Sequence, residues 1–506
     1  MPAAVNLSAL LLDRRLAGHG GGPAVRGPGV DWTLSDLAER VGLMAAGFIR
    51  AGIGRGDVVA ISLRDGPEWP AVVLGAARIG AVCALVSPAI QRSRARLAIG
   101  RANARAVVGD QATALPGTPL LSPDLLEGLG AGRPDPGPAA IRSHEPCYLL
   151  MTSGSTGIPK WVVHGHGDVR TCLATYGARV LRLRPGDVTW SVAGLATSYG
   201  FGNSCYFPLG AGACAWLGGA DRSPQALARA VREGGVNVVF GVPTWWARVV
   251  RHVEEGRLAP GALAGVRVAV SAGEQLPSRI WQRVNEVLGL RLVNCLGSSE
   301  AANLYLSDRP GGPRAGTLGR PVPGYSLSIA GPDGRPSDEG ELLVRGDSVM
   351  AGYLDDPLAS ARALRGGWLH TGDLVRRERD ASYTFLGRAG DRVKVGALWV
   401  SPAHVQAELL RDPDVDYAIV LGVEDEYGLT RLGAVVTVAP GVPRDAGDGL
   451  NARCARRLAP HEVPRAIVAL DEIPALASGT PDRAAIAEIL ADALAQPTTS
   501  PTPARR

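Results

Sequence analysis

At 506 residues, with 46% hydrophobic residues and a formal net charge of +5, the chain is too long for a single core and reads as a globular protein of two to four domains. The charge is small for this length and no Lys/Arg run forms a stripe, which argues against a nucleic-acid partner. No window reaches the roughly 18 apolar residues of a membrane span. A short apolar patch at 9–12 stops at Asp13-Arg14-Arg15, and the seven cysteines form no C-x-x-C pair, so no secretory signal is expected and the thiols read as reduced in a cytoplasmic protein.

Thr33 to Ala51 places Leu34, Leu37, Val41, Leu43 and Phe48 at helical spacing and predicts an amphipathic helix. The run 57–63 predicts a buried strand, 69–79 a helix stopped by Gly80, and 81–86 a second strand. Helices between apolar strands imply a parallel sheet covered on both faces. The Gly/Pro-rich stretch 128–137 predicts a linker. From Tyr148 to His166 the order is strand, small-residue loop, strand. An apolar run ends at Thr152-Ser153-Gly154-Ser155-Thr156-Gly157, Lys160 follows, and Trp161-Val162-Val163 resumes. Such a loop can close backbone N–H groups around an anion while the lysine adds a mobile positive charge. It is a phosphate cradle, although it departs from the G-x-x-x-x-G-K-[ST] pattern. Of 53 Lys and Arg residues only Lys160 and Lys394 are lysines, and a chain so biased toward arginine keeps lysine where a compact ammonium is needed.

Past the cradle, 187–190 leads into a polar-aromatic stretch, 193–208, followed by a helix (224–233), a strand (236–240), the GVPTWW segment (241–246) and a helix to about 255. A strand at 266–270 runs into Ser271-Ala272-Gly273-Glu274, and one at 290–296 into Gly297-Ser298-Ser299-Glu300. In an open α/β sheet, loops at the carboxyl ends of strands form the ligand crevice. Four small, polar loops of this kind predict one shared site. Short strands with Gly/Asp turns from about 317 to 388 predict a β-rich subdomain. A last α/β segment spans 391–495, and the Pro/Thr-rich tail 496–506 reads as disordered.

The motifs TSGSTGIPK (152–160), SAGEQLP (271–277), GSSE (297–300), TGD (371–373) and GRAGDRVKVGALWVSP (387–402) resemble those of the adenylate-forming superfamily of acyl-CoA synthetases, adenylation domains and luciferases. VSAGEQLP and LSDRPGGPRAGTLGRPVPGY (306–325) look most like its benzoate-CoA ligase branch. The resemblance implies an α/β fold. A large N-terminal domain (1–388) would hold two doubly covered, parallel-type sheets plus the β-rich subdomain, and a small α/β lid (391–495) would turn on a hinge near 390. It also implies ATP-dependent joining of a carboxylate to AMP with release of pyrophosphate, with Mg²⁺ as cofactor.

Carried over position by position, the resemblance assigns Thr152, Ser153, Gly154, Ser155, Thr156 and Lys160 to the β- and γ-phosphates and Ser299 to the α-phosphate. Glu300, with Thr152, would hold Mg²⁺, a hard cation that prefers oxygen ligands. Ala272, Gly273 and Glu274, with Asn294, Cys295 and Leu296, would line the adenine slot, Gly297 and Ser298 would also belong to the nucleotide site, and Asp373 and Arg388 would meet the ribose. Lys394 would be the lid's catalytic cation beside Glu300 and Lys160. His164 and His166 form an H-x-H pair, too few ligands for zinc.

The acyl pocket implied by the resemblance involves Ala196, Thr197, Ser198, Tyr199, Gly200, Asn203, Trp246, Gly297 and Asn303, with Lys394. Ala196 and Thr197 stand where benzoate-specific relatives have phenylalanines. The added volume and the polar groups of Thr197, Ser198 and Asn303, costly if buried unpaired, predict a substituted aryl or arylacrylic acid as substrate. Three departures fall in the lid. Thr480 replaces the lysine of the terminal TGK-like motif, Gly390 replaces the usual Asp or Lys hinge residue, and Ala397 replaces a glycine. They predict that the chemistry runs with Lys394 facing the site. They also leave the acceptor open between CoA, a carrier protein and, in a diazotase-like reaction with an aryl amine, nitrite; an inactive nucleotide-binding homologue and a homodimer stay open too.

Overall fold

The computed structural model describes residues 5–153, 159–310, 312–395, 398–425, 428–439, 441–443, 447–476 and 480–495. Two large sheets form the bulk of the chain. The first runs, in spatial order, through Gly352–Tyr353, Pro159–Gly165, Pro146–Ser153, Val82–Leu85, Val58–Ile61, Ala106–Val108 and Leu120–Leu121. Its inner strands are parallel, as strands buried on both faces tend to be. The hairpin at its other end is antiparallel and pairs Thr152 with Lys160. The lysine is therefore fixed by strand register at the rim of the cradle. Gly154, Ser155 and Thr156 lie outside the described residues, as does the side chain of Ser153.

The second sheet, of nine strands, has at its centre Leu292–Gly297, Val268–Ser271, Val238–Gly241 and Val188–Ser191, side by side and parallel. Those four strands end in the four polar loops that the sequence placed together. Their carboxyl ends define one crevice. The helix of the 34–50 region forms as the periodicity predicts, Leu34–Arg50, with Thr33 and Asp36 in a reciprocal capping box. Two expectations shift. The stretch 128–137 begins inside a helix, Pro123–Gly130, which Ser122 caps. The stretch 193–208 is largely helical, Ser198–Phe201 continuing into Gly202–Tyr206 and Phe207–Ala211. Its glycines allow close backbone packing there; a Cβ on Gly200 would lie 2.0 Å from the Gly194 carbonyl oxygen.

Antiparallel strands from Ser326–Ala330 to Tyr383–Arg388 build a third, five-stranded sheet. The C-terminal part pairs Val415–Glu424 with Thr430–Val438 and then Ala466–Ala469. Its Tyr417, Ile419, Leu421 and Val423, with Ile486 and Leu490 of the last helix, share one apolar cluster with Trp245, Trp246, Val249 and Val250 of helix Pro243–Glu254. The lid thus rests on the large domain through a continuous buried surface. All seven cysteines are free and buried.

Candidate active site

The crevice gathers charged groups that lie far apart in the chain. Lys160 Nζ stands 3.9 Å from Asp356 and 5.1 Å from the Tyr353 ring centroid. The Tyr353 hydroxyl donates to Glu300 Oε1 at 2.8 Å. Glu300 sits on a single helical turn, Ser299–Ala301, and its carbonyl oxygen accepts from the Met350 N–H at 2.8 Å. Register in the third sheet pairs Asp373 with Arg388, and Arg388 Nε donates to Asp373 Oδ1 at 2.9 Å while Tyr305 donates to Oδ2 at 3.4 Å. Burial pushes the Asp373 carboxyl up, Arg388 draws it back, and the nearby Glu300 charge adds to the rise. Asp373 holds Arg388 firmly in its charged form.

Ser299 is oriented from behind: His164 bridges the Asp168 carboxylate and the Ser299 carbonyl oxygen, both at 2.7 Å. His166 Nδ1 accepts from the Leu7 N–H, and burial lowers its pKa to about 4. Both histidines therefore tie backbone segments together. Ala302, two residues after Glu300, has φ +65°, a strained non-glycine conformation of the kind found at ligand loops. Gly297 is required by close approach, since a Cβ there would lie 2.4 Å from the Asn303 carbonyl oxygen.

Around the proposed adenine slot the side chains divide. Ala272 is buried, and Gly273 adopts φ +87°, which glycine tolerates. Glu274 turns toward the lid, accepting from Thr244 Oγ1 at 2.8 Å and from the Tyr417 hydroxyl. Asn294 donates to the Thr317 carbonyl oxygen at 2.8 Å, and Cys295 is a core thiol 3.2 Å from Ser307 Oγ. The side chains of Asn294 and Cys295 thus belong to the interior, and Leu296 and Gly297 form a bulged edge against Leu304–Ser307. Ser298 Oγ is buried and lacks a hydrogen-bond partner among the described residues.

The acyl-pocket residues need correction. Thr197 Oγ1 donates to the Gly194 carbonyl and accepts from the Gly200 N–H, capping its helix. Asn303 donates to the Tyr206 hydroxyl at 2.8 Å and to the Ser198 carbonyl, and accepts from the Leu304 N–H. These groups satisfy one another inside the protein, so no ligand group is needed to pair them. Trp246 is fully buried and donates to the Val270 carbonyl oxygen; it is a core residue. Ser198 Oγ lies 3.4 Å from Ser299 Oγ, and Tyr199 donates to the Gly241 carbonyl. Asn203 is fully buried, with neither amide atom paired among the described residues. A cavity of about 600 Å³ opens between lid and large domain, with Ala196, Thr197, Thr244, Tyr417 and Leu476 in its walls.

The lid orientation is opposite to the expected one. Lys394 lies exposed on the hairpin Val393–Val395/Leu398–Val400, opposite Trp399, and is not brought to the crevice. Instead Thr480 reaches the loop of Ala272 and Gly273, its methyl group 3.4 Å from where a Cβ on Gly273 would be. The sequence reasoning missed Tyr353, Asp356, Tyr305 and Tyr417. The GYLDDP segment (352–357) has no spacing that marks it as a partner for Lys160 and Glu300.

Comparison with known proteins agrees with this geometry. Residues 12–354 match the AMP-binding enzyme family and 404–480 the AMP-binding enzyme C-terminal domain. The chain is 31% identical over 508 residues to benzoate–CoA ligase of Thauera aromatica, covering 95% of each. A benzoate CoA ligase structure from Burkholderia xenovorans LB400 superposes with a TM-score of 0.84 at 28% identity, over 95% of this chain and 99% of that one. The anthranilate CoA ligase AuaEII, in complex with anthranoyl-AMP, gives a TM-score of 0.87 at 25% identity, over 97% and 98%. The chain belongs to the AMP-binding enzymes, on the benzoate–CoA ligase side of the adenylate-forming superfamily.

Proposed function

We propose that the protein uses ATP to activate a substituted aromatic acid as its acyl adenylate, with release of pyrophosphate, and then passes the acyl group to a thiol of CoA. The observation that supports this most is the convergence of Lys160, Glu300, Asp373 and Arg388 on one crevice, joined through Tyr353 and Tyr305. In the first step an acid oxygen attacks the α-phosphorus and the bond to pyrophosphate breaks. Lys160 faces the charge that develops on the leaving group, where preorganised cations act most strongly. Asp373 accepts from the ribose hydroxyls, and Arg388 counters the rise in its pKa that burial causes.

Glu300, with Thr152, is the candidate Mg²⁺ holder. Among the described residues no three His, Cys, Asp or Glu side chains form a cation cage. A single carboxylate with the phosphates supplying the remaining oxygens fits a magnesium site. When bound, Mg²⁺ neutralises phosphate charge. The named relatives are CoA ligases for benzoate and anthranilate, which supports both the acid class and the acceptor.

The test is ATP-dependent pyrophosphate release across benzoate, its hydroxy and amino derivatives, and cinnamates, each with and without CoA. Acid-dependent release followed by thioester formation is expected. Release with acid but no thioester would leave the activation step standing and move the acceptor to a carrier protein. Turnover that needs an aryl amine with nitrite, and no acid-dependent release, would overturn the proposal.

A further inference from the structure

Segment 193–197 follows the strand Val188–Ser191 and leads into the short helix of Ser198 and Tyr199. One charged pair grips it from outside. Asp65, on the loop after Val58–Ile61, accepts the Leu195 N–H on Oδ1 at 3.0 Å and the Arg222 guanidinium on Oδ2. Arg222 comes from the other sheet, on the loop after Cys214–Trp216. Its Nη1 donates to the Gly219 carbonyl at 2.5 Å, and its own carbonyl accepts from Trp245 Nε1 at 2.7 Å. The guanidinium stands 5.9 Å from the Trp190 ring centroid, and Trp190 packs on Trp245 at 5.1 Å. Asp65, Arg222, Trp245, Ala196 and Thr197 all line the 600 Å³ cavity.

Both charges are largely withdrawn from water, at 11% and 21% side-chain exposure. Such a pair is poor evidence of stabilisation by itself, because desolvation offsets the attraction. Its geometric effect is specific. Leu195 is held by Asp65 and Thr197 by its helix cap, so Ala196 is suspended between two fixed points at the cavity wall.

We infer that Asp65 and Arg222 are a positioning pair that fixes segment 193–199 and thereby sets which aromatic acids the pocket accepts. The inference rests on the acid-activating reading given above. Loosening the clamp lets Ala196 and Thr197 drift, and small displacements of substrate-positioning groups alter rates strongly. On the nucleotide side Lys160, Glu300 and Asp373 have partners outside the segment, Asp356, Tyr353 and Arg388, and the segment approaches that side through Ser198 Oγ, 3.4 Å from Ser299 Oγ.

Asp65→Asn, Arg222→Met and the milder Arg222→Lys are compared with wild type by kcat and KM for acid and ATP over the same panel of acids. Thermal unfolding confirms that each variant is folded. The expected result is a rise of about tenfold in acid KM for Asp65→Asn and Arg222→Met, with ATP KM within about twofold. The kcat/KM ratio between wide and narrow acids should change about fivefold or more. Arg222→Lys, which keeps charge but loses the planar fork, should fall between these and wild type, and serves as the test if the others do not fold. Parallel loss on every acid, or an equal rise in ATP KM, would overturn the inference. A wild type that activates no aromatic acid would sink the function proposed above; a wild type whose selectivity survives these substitutions sinks only the clamp.

Discussion

Glu274 makes the seating of the lid depend on pH. Its carboxyl is partly buried between Thr244 of the large domain and Tyr417 of the lid. Burial pushes its pKa from 4.5 up to about 7, with the hydrogen bonds from Tyr417 and Thr244 drawing the other way. If the lid swings away, Tyr417 leaves and the carboxyl returns toward 4.5. The seated lid therefore favours the protonated form. Its advantage is fully present below pH 4.5 and is lost as pH rises through about 7. At roughly 1.4 kcal/mol per pH unit, the change is at most about 3 kcal/mol, since Glu274 keeps an edge in water. Glu274→Gln is neutral at all pH values and can still accept from Tyr417, so it should abolish the pH response and seat the lid more firmly at pH 8. The seven native cysteines are buried, which allows selective labels at Leu125→Cys and Leu398→Cys, both exposed leucines. Distance distributions between these labels, from pH 5 to 9, read lid seating directly. A wild-type distribution that does not change with pH, or a Glu274→Gln variant that keeps the wild-type response, would refute the linkage.

Three further outcomes are expected. Glu300→Gln and Asp373→Ala should each lower AMP formation about 30- to 1000-fold, the loss of about 2–4 kcal/mol typical of a charged partner, with circular dichroism unchanged; near wild-type rates in both would remove them from the nucleotide site. Asn303→Ala should destabilise the fold by about 1–3 kcal/mol in urea unfolding, because it leaves the Leu304 N–H and the Tyr206 hydroxyl short of partners; a neutral change would mean that Asn303 is kept for ligand rather than for structure. In single-turnover ATP cleavage, Thr480→Lys should speed adenylate formation at least tenfold by restoring a cation worth on the order of 3 kcal/mol, while Lys394→Met changes it less than about threefold; a large loss in Lys394→Met would show that the lid turns over before the first step.

The local rules gave the strands, the amphipathic helix and the cradle hairpin, because apolar period, glycine stops and strand-end loops act over few residues. Lys160 was legible from its cradle and Glu300 from its strand-end loop, but Asp373, which lies within the strand Trp368–Arg377, joined them only through the resemblance of its TGD motif. The acyl pocket was less legible. Polarity at Thr197 and Asn303 reads as ligand recognition in sequence, yet a cap and a Tyr206 hydroxyl satisfy them, and neither partner follows from spacing. Trp246 failed for a related reason: sequence marks an aromatic near the pocket but not which face of its helix is buried. The lid orientation is set by contacts between residues more than 130 positions apart, which no local pattern encodes.

Those contacts explain how a lid without its terminal lysine can remain in place. Arg279 donates to the Asp412 and Pro413 carbonyl oxygens, and Arg251 donates to Asp416 and to the Asp471 and Val438 carbonyls. Arg248 pairs with Glu472 at 3.0 Å. Hydrogen bonds from arginine to main-chain oxygens depend on orientation more than on the partner's side chain, so they specify one seating of the lid. Gly390 has no side chain to restrain a hinge there, and these bonds from Arg248, Arg251 and Arg279 of the large domain supply a restraint instead. In that seating Thr480 adds bulk beside Gly273 but no charge, and Lys394 stays in solvent. In the proposed reaction the positive charge at the nucleotide would then come from Lys160 and Arg388, which lie outside the lid. Residues 471–476 wall the interdomain cavity, so in the proposed reaction the lid would cover the acid while the large domain performs the activation.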